Sequence, residues 1–261
     1  MDRAEASRIA HTLHPIAAPV SPERARWLLS LLALPGDGRA LDLGCGCGEW
    51  LLTLLEGDGG GAPCGVGVDT SIGALADARV SAEKRGLDGK VTWENADAAT
   101  WAGGLFDVVL CVGATHAFGG LDGALAALRR HLRPGGRALL GDAIWEAAPS
   151  RAAQEALDAG PNDFPDLAGL VDRVRTHGFE PLFGHVSTLE EWDDYEWSWT
   201  GSLAEWALAR DAGDEDAREA LEIARTHREE WLTGYRKQLG FVTLVLHEMG
   251  AAVAPEKTPT L

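Results

Sequence analysis

Short apolar runs alternate with segments of helical periodicity along the first part of the chain. The apolar runs predict five strands, over residues 39–43, 64–68, 90–94, 105–112 and 137–141. Apolar positions at helical spacing predict helices over residues 22–33, 49–55, 71–85 and 121–132. Strands that alternate with helices are typical of an α/β fold, in which helices cover both faces of a mostly parallel, doubly wound sheet.

The last third of the chain departs from this alternation. Two helices are predicted there, at 152–159 and 167–177, and two further strands at 179–186 and 241–246. Residues 188–239, between the sixth and seventh strands, are helical in pattern, charged and rich in tryptophan. We therefore expect a single domain over residues 1–261, with a helical N-terminal region at 1–34 and a helical cap at 188–239 inserted between those strands.

The charge balance of the chain is strongly acidic. Its 23 Lys and Arg residues stand against 40 Asp and Glu residues, which gives a formal net charge of −17. Nucleic-acid binding needs a basic surface, and no Lys/Arg cluster would form one, so we expect no nucleic-acid partner. The acidity favours a neutral or cationic substrate, or it serves solubility alone.

Targeting and metal-binding signals are absent from the sequence pattern. The first eight residues lack the apolar core of a signal peptide, and no apolar run approaches the roughly 20 residues of a membrane span. The four cysteines, at 45, 47, 64 and 111, do not have zinc-finger spacing. We expect a cytoplasmic protein with reduced cysteines, no metal and no membrane partner.

A glycine-rich turn follows the first predicted strand. Gly44, Gly46 and Gly48 alternate with cysteines there, and the lack of side chains lets the backbone approach a ligand. The next helix offers free N–H groups, which bind a pyrophosphate in dinucleotide enzymes. Glu49 follows the turn directly and would repel a pyrophosphate, so a cationic or zwitterionic ligand fits the pattern better.

Acidic residues also follow the next two strands. Asp69 ends the second strand, where a carboxylate can bond both hydroxyls of a ribose. Asp97 follows the third strand, where a carboxylate can accept a hydrogen bond from an adenine amino group. Asp97 alone is equally compatible with a solvated loop. Together with the turn, the two acids predict an adenosyl ligand without phosphates.

These segments resemble the motifs of class I S-adenosylmethionine-dependent methyltransferases, which have a Rossmann-like fold. The segment 41–49 is similar to their first motif, Val68–Ser71 to the ribose-binding second motif and Asn95–Ala98 to the adenine-binding third. Phe106–Val112 and Leu132–Arg137 match the fourth strand and the turn before the fifth. The whole chain also resembles a bacterial branch of small-molecule methyltransferases, in its segments 14–15, 113–116, 118–120 and 192–197.

The resemblance implies a seven-stranded sheet in the order 3-2-1-4-5-7-6, with an antiparallel last strand, and S-adenosylmethionine as the cofactor. It implies that the glycines approach the methionine moiety, that Asp42 or Glu49 bonds its ammonium, that Asp69 holds the ribose and that Asp97 holds the adenine amino group. The predicted cofactor site comprises Asp42, Gly44, Cys45, Gly46, Glu49, Asp69, Thr70, Ser71, Asp97, Ala98 and Val112.

Three residues are candidates for the chemistry at the methyl group. His116 follows the fourth strand, where it acts as a base, caps the next helix or only lines the pocket. Glu146 follows the fifth strand, where its carboxylate holds an amine or forms a surface ion pair. Tyr195 lies in the Trp-rich insertion, whose rings either pack the core or form a lid that excludes water. Tyr195 and Trp199 are the rings expected to reach the pocket.

The sequence therefore predicts methyl transfer to an oxygen or nitrogen of a small organic molecule by in-line displacement, in a monomer or homodimer. The N-terminal stretch through His11, His14 and Pro15 is expected to fold over the cofactor. A non-catalytic protein that binds S-adenosylmethionine or S-adenosylhomocysteine is the alternative, and the intact motifs and full cap argue against it. The turn spacing and Glu49 argue against a dinucleotide oxidoreductase.

Overall fold

Seven strands pair into one sheet in this computed structural model, which describes residues 1–57, 61–211 and 213–250. The strands are β1 (Arg39–Leu43), β2 (Cys64–Asp69), β3 (Val91–Asn95), β4 (Phe106–Val112), β5 (Leu132–Trp145), β6 (Phe179–Val186) and β7 (Leu239–Glu248). Their order is β3-β2-β1-β4-β5-β7-β6, and β7 runs antiparallel to both of its neighbours. The predicted order and the antiparallel last strand are confirmed.

The helices are α1 (Arg3–Ala10), α2 (Pro22–Ser30), α3 (Glu49–Leu55), α4 (Ile72–Lys84), α5 (Leu121–His131), α6 (Arg151–Leu157), α7 (Leu167–Thr176), α8 (Leu189–Leu208) and α9 (Glu215–Glu230). From α2 onward they lie in the segments predicted to be helical, with ends that differ by a few residues; α1 lies in the N-terminal region 1–34, for which the sequence pattern predicts no helix bounds. A 3₁₀ turn spans Thr115–Phe118, and a π-helical segment at Trp231–Tyr235 ends the inserted helices.

Local capping explains where several helices begin. The Ser21 side chain accepts from the Arg24 N–H, and Pro22 occupies the first turn of α2, where its missing N–H costs nothing. α8 begins with a capping box, in which Thr188 and Glu191 each accept a hydrogen bond from the other's backbone N–H. The capping box therefore favours the start of α8 shortly after β6 ends at Val186.

β5 is longer than the predicted strand 137–141. Phe106 of β4 pairs with Leu132 and Val108 pairs with Arg137, so five positions of β5 lie opposite two of β4. Pro134 has no N–H to donate, and this interrupts the ladder at the predicted turn. At its other end β5 continues to Trp145 because β7 pairs with it as far as Leu239.

Two hydrophobic clusters cover the two faces of the sheet. One is formed with α5 and α7 and includes Leu43, Phe106, Leu125 and Phe179, and the other is formed with α2 and α3. The inserted helices α8 and α9 have a smaller core of their own, to which Ile9 of α1 contributes. α1 therefore packs against the insertion rather than against the sheet.

Candidate active site

A cavity of about 870 Å³ lies beyond the carboxyl ends of β1, β2 and β4. Its wall is formed by α1 and the segment after it, by the glycine-rich turn, by the end of β2 and the start of α4, and by His116. The lining residues are Ser7, Arg8, His11, Thr12, Pro15, Ala17, Gly46, Cys47, Glu49, Asp69, Thr70, Ser71, Ala74, Asp77, Ser81 and His116. Open α/β sheets bind their ligands at this edge.

The glycine-rich turn has no room for side chains at its ends. A Cβ on Gly44, whose φ is +76°, would lie 2.4 Å from the Ala114 Cβ. A Cβ on Gly48 would lie 2.3 Å from the Trp93 ring. Gly46, at φ +51°, differs because open space surrounds the position of its missing Cβ. The turn is therefore packed from behind and open at Gly46, which lines the cavity.

The carboxylate of Asp69 is fixed at the end of β2 by two backbone groups. Its Oδ2 accepts from the Gly46 N–H at 2.8 Å, and its Oδ1 accepts from the Ser71 N–H at 2.8 Å. A carboxylate has about four acceptor positions, so each oxygen keeps one for a ligand hydroxyl. Asp69 thus joins the turn to α4 and still offers both oxygens to a vicinal diol such as a ribose.

α1 forms the roof of this cavity. The Asp2 side chain caps the helix by accepting from the Glu5 N–H at 2.8 Å. Arg8 lines the cavity and forms an ion pair with Asp77 of α4 at 3.1 Å. His11 at the end of α1 contacts the insertion. The roof is therefore attached to the core on one side and to α8 on the other.

His11 and Tyr195 form a hydrogen bond whose direction the geometry determines. The His11 Nδ1 lies 2.7 Å from the Ser7 carbonyl, which can only accept, so Nδ1 carries the proton. The His11 Nε2 is then the acceptor for the Tyr195 hydroxyl at 3.0 Å. Burial holds the pKa of His11 below its usual value, which favours this neutral form.

Asp42 lies in the floor behind the turn. Its side chain is 3% exposed, and its Oδ2 has no hydrogen-bond partner among the described residues. Burial raises the pKa of Asp42 to about 8, and the nearby charge of Asp69 adds to the effect. Asp42 does not line the cavity, so it does not contact a ligand there directly. It can act on the ligand only through the glycine-rich turn that lies in front of it.

Glu49 lines the cavity but is already engaged. Its carboxylate accepts from Thr53 Oγ1 at 3.1 Å and forms an ion pair with Arg85, the residue after α4. A carboxylate with a cationic partner attracts an ammonium less strongly than a free one. The structure therefore brings Glu49 to the predicted place with part of its charge neutralised.

The remaining predicted cofactor residues divide by position. Thr70 and Ser71 line the cavity, whereas Asp97 is exposed beside it and accepts from the Ala99 N–H at 2.9 Å. The other four predicted residues do not line the cavity: Gly44, the buried Cys45, the buried Ala98 and the half-buried Val112.

The three catalytic candidates are not brought together. His116 is exposed in the 3₁₀ turn and lines the cofactor cavity. Beside it, Thr115 Oγ1 donates to the buried carboxylate of Asp142 at 2.8 Å, which anchors this turn to β5. Glu146 lines a second, smaller cavity under the insertion, and Tyr195 lies between the two cavities. Trp199, expected at the pocket, instead stacks on His227 with ring centroids 4.1 Å apart.

Sequence reasoning missed the contribution of α1. It placed the stretch through His11 and Pro15 near the cofactor but did not delimit the helix that carries Ser7 and Arg8. The available signal was Asp2 followed three residues later by Glu5, a capping pattern. The helix itself is short and has few apolar positions, so periodicity gives little indication of it.

Comparison with known proteins agrees with this geometry. Residues 40–136 match the family model described as a methyltransferase domain. The chain is 33% identical to the uncharacterised protein YjhP of Escherichia coli over 229 residues, 86% of this chain and 91% of that protein.

Solved structures extend the similarity to the whole architecture. An S-adenosylmethionine-dependent methyltransferase from Geobacter sulfurreducens, solved with S-adenosylhomocysteine, is 30% identical with a TM-score of 0.84, over 94% of this chain and 98% of that one. A second, from Thiobacillus denitrificans and also solved with S-adenosylhomocysteine, is 30% identical with a TM-score of 0.83 over the same shares.

The fold and site define a class I, Rossmann-like S-adenosylmethionine-dependent methyltransferase. This chain belongs to that family, and its cofactor is S-adenosylmethionine. Within the described parts of the chain, no helix is long and apolar enough to cross a membrane. The same described residues contain no group of three or more His, Cys, Asp or Glu side chains arranged to hold a metal ion.

Proposed function

We propose that this methyltransferase transfers the methyl group to an oxygen or nitrogen atom of a small organic molecule by in-line displacement. The observation that carries the proposal is the position of His116, a titratable side chain that lines the cofactor cavity just beyond β4. The proposal includes action in the cytoplasm, as a monomer or homodimer, and the net charge of −17 supports a partner other than nucleic acid.

The cofactor would be held by the residues at the ends of β1 and β2. Asp69 offers both carboxylate oxygens to the ribose, while Gly46 leaves open space for the chain that joins the ribose to the methionine group. Asp97, which is exposed just after β3, would accept a hydrogen bond from the adenine amino group. Thr70 and Ser71 line the ribose side, and Glu49 supplies negative charge on the ammonium side. Asp42, whose pKa burial raises to about 8, would act on the ammonium only through the turn in front of it.

When bound, S-adenosylmethionine supplies a sulfonium methyl that is already activated for transfer. The chain's own task is to align the acceptor and to exclude water, and alignment alone can lower a barrier by several kcal/mol. His116 would accept the proton that a hydroxyl loses as it attacks, or the proton that an ammonium loses before it attacks as the neutral amine. Tyr195 holds His11 and so positions the roof of the cofactor cavity. Glu146 lines the second cavity rather than the one that His116 lines, so the two would not act on the same substrate atom.

Calorimetric titration with S-adenosylmethionine is the first test. We expect binding at micromolar to low millimolar cofactor, and no heat at millimolar concentration would overturn the assigned site. A screen of hydroxylated and aminated small molecules for S-adenosylhomocysteine release then tests the acceptor atom. Release of the product with carbon or thiol acceptors alone would contradict the proposal.

A further inference from the structure

A second cavity lies under the insertion, at the same edge of the sheet as the cofactor cavity. It lies beyond the carboxyl ends of β5 and β6 and at the start of β7, and its volume is about 190 Å³. Residues of α8 and of the π-helical segment close it from above. We call it the aryl cavity and define it by Glu146, Ser187, Trp192, Trp231, Tyr235 and Lys237.

Aromatic side chains form much of its wall. Trp231 is 1% exposed and Tyr235 is 4% exposed, so both rings are held in fixed positions by their surroundings. Trp192 meets Tyr235 edge to face, with centroids 6.5 Å apart at 67°. Rings arranged in this way favour a flat aromatic ligand, which gains edge and face contacts in addition to apolar burial.

Two polar atoms on the residues of this wall lack partners. The hydroxyl of Ser187, a residue that is 5% exposed, and the indole N–H of Trp192 are buried without a hydrogen-bond partner in the described structure. A buried polar group without a partner is costly, and a ligand that supplies one recovers that cost. The indole N–H only donates, so a ligand that satisfies it must offer an acceptor atom, and a carbonyl oxygen can accept from both groups.

The charged residues of the lining cancel. Arg236 forms a bidentate ion pair with Asp193, at 2.9 and 2.6 Å, and so carries little free charge. Glu146 and Lys237 are both exposed and have opposite signs. The cavity therefore does not select its ligand by net charge. The aromatic wall and the two unpartnered donors, on Ser187 and Trp192, determine which ligand binds.

The volume limits the occupant to one ring. A dry cavity of about 150 Å³ is large enough to bind benzene, so about 190 Å³ takes a benzene ring with one carbonyl-sized substituent. A fused two-ring system would need the wall to move.

The aryl cavity is adjacent to the cofactor cavity. β1 and β5 are both neighbours of β4, so their ends lie about 10 Å apart at ordinary strand spacing. The side chains between the cavities are in contact: Trp192 meets Tyr195 at 6.2 Å between centroids, and Tyr195 donates to His11, which lines the cofactor cavity. A molecule anchored in the aryl cavity would therefore extend its other end toward His116 past Tyr195, the side chain that lies between the two cavities.

We propose that the aryl cavity recognises the methyl acceptor by a single aromatic ring that carries a carbonyl oxygen, as in an aryl amide, ester, ketone or carboxylate. This inference rests on the proposed function, because it takes the occupant to be the acceptor. The ring packs against Trp192, Trp231 and Tyr235, the carbonyl oxygen accepts from Trp192 and Ser187, and the reacting hydroxyl or amine lies at the opposite end of the molecule.

Calorimetric titration with benzamide, benzoate and benzylamine tests the recognition. We expect benzamide and benzoate to bind and benzylamine, which has the ring but no carbonyl, to bind at least about tenfold more weakly. Trp192→Phe and Ser187→Ala should each weaken benzamide binding about five- to tenfold, the effect of one lost hydrogen bond. Trp27→Phe on α2, a ring that is 40% exposed, should change nothing.

Three outcomes would overturn the recognition: no benzamide binding to the unaltered protein, equal affinity for all three probes, or unaltered affinity in both variants. Melting temperatures identify a variant that fails to fold, and the test of the hydrogen bonds then rests on the affinity of the other variant. S-adenosylhomocysteine is titrated into the same samples. Its binding without benzamide binding refutes the aryl cavity alone. The reverse result refutes the proposed function and the assignment of the occupant as the methyl acceptor, and leaves only the recognition of the ring.

Turnover tests separately whether the molecule bound in the aryl cavity is the methyl acceptor. Among compounds that release S-adenosylhomocysteine, those with an aryl carbonyl should predominate, and Trp192→Phe should raise their KM with little change in kcat. Turnover restricted to compounds without an aryl carbonyl would overturn the assignment.

Discussion

The Tyr195 hydroxyl donates to the His11 Nε2 at 3.0 Å, and this bond connects the insertion to the roof of the cofactor cavity. His14 adds a second contact, since its ring meets Tyr195 edge to face at 5.5 Å. Tyr195 thus lies one side chain away from the cavity itself. A position between the roof and the insertion suits a residue that holds the roof in place better than one that touches the reacting atoms.

Tyr195→Phe removes this bond and keeps the ring. We expect a loss of about 1 kcal/mol in the free energy of unfolding and a several-fold weaker affinity for S-adenosylhomocysteine, with kcat little changed. Thermal melts and calorimetry check this. Leu208→Ala, at an exposed position of the same helix, is the control. A large fall in kcat at unchanged cofactor affinity would instead give Tyr195 a catalytic role.

Asp69→Asn places an amide where two backbone N–H groups and a ligand diol need acceptors. Its NH₂ group cannot accept, so one backbone N–H or one ligand hydroxyl loses its partner. We expect affinity for S-adenosylhomocysteine to fall about 10- to 100-fold, since hydrogen bonds to charged groups are the stronger ones. Asp88→Asn in an exposed turn is the matched control and should bind normally.

Gly44 and Gly46 should respond differently to alanine. Both have positive φ, so each substitution costs about 1–2 kcal/mol of backbone strain. Gly44→Ala also places a Cβ 2.4 Å from Ala114, and we expect it to lower the melting temperature further. Gly46→Ala meets no protein atom but narrows the cavity, so it should fold and bind the cofactor at least about tenfold more weakly. Equal melting temperatures for the two variants would contradict this account of the turn.

His116→Asn tests the proton acceptor. We expect kcat to fall about a hundredfold while the affinity for S-adenosylhomocysteine changes less than about twofold. His177→Asn, at the end of α7 and away from both cavities, controls for loss of a histidine. Unchanged kcat would show that alignment of the acceptor suffices without a base.

Glu191 gives the fold a pH dependence at acid pH. Burial acts to raise its pKa, but hydrogen bonds from the Ser21 and Thr188 N–H groups and from His185 outweigh burial and lower it to about 2. Its unfolded value is about 4.3, so the stabilisation is complete above that pH and is lost as pH falls toward 2.

Glu191→Gln should therefore cost about 1–2 kcal/mol of unfolding free energy at pH 7, and the difference from the unaltered protein should shrink between about pH 5 and pH 2. Denaturant titrations at several pH values measure it. Glu190→Gln is the neighbouring control on the same turn of α8. A constant difference across this range would exclude the charged form of Glu191 as the cause.

The sequence predicted the sheet and the cofactor turn well because their physical requirements are local. A buried parallel strand needs an apolar run, and the turn needs glycines where Ala114 and Trp93 approach the backbone. The extension of β5 to Trp145 was not predictable in this way. Asp142 interrupts its apolar pattern, and only pairing with β7 maintains the strand.

The arrangement of the insertion was also beyond sequence reasoning. The Trp-rich pattern indicated helices, but it could not say which rings face a cavity, because that depends on how α8 rotates against the sheet. Trp192 and Trp231 line the aryl cavity, whereas Trp199 stacks on His227. The separation of Glu146 from His116 is likewise a tertiary property, since each simply follows its own strand.

The attachment of α1 to both α4 and α8 has a thermodynamic consequence. Arg8 and His11 belong to one short helix, so a ligand that holds this helix against α4 also favours its contact with α8. If a ligand in the aryl cavity in turn favours the position of α8 that contacts α1, the two ligands raise each other's affinity, and linkage makes the two factors equal. The enzyme would show synergistic binding of its two substrates, and demethylated cofactor would leave more readily once the product has gone.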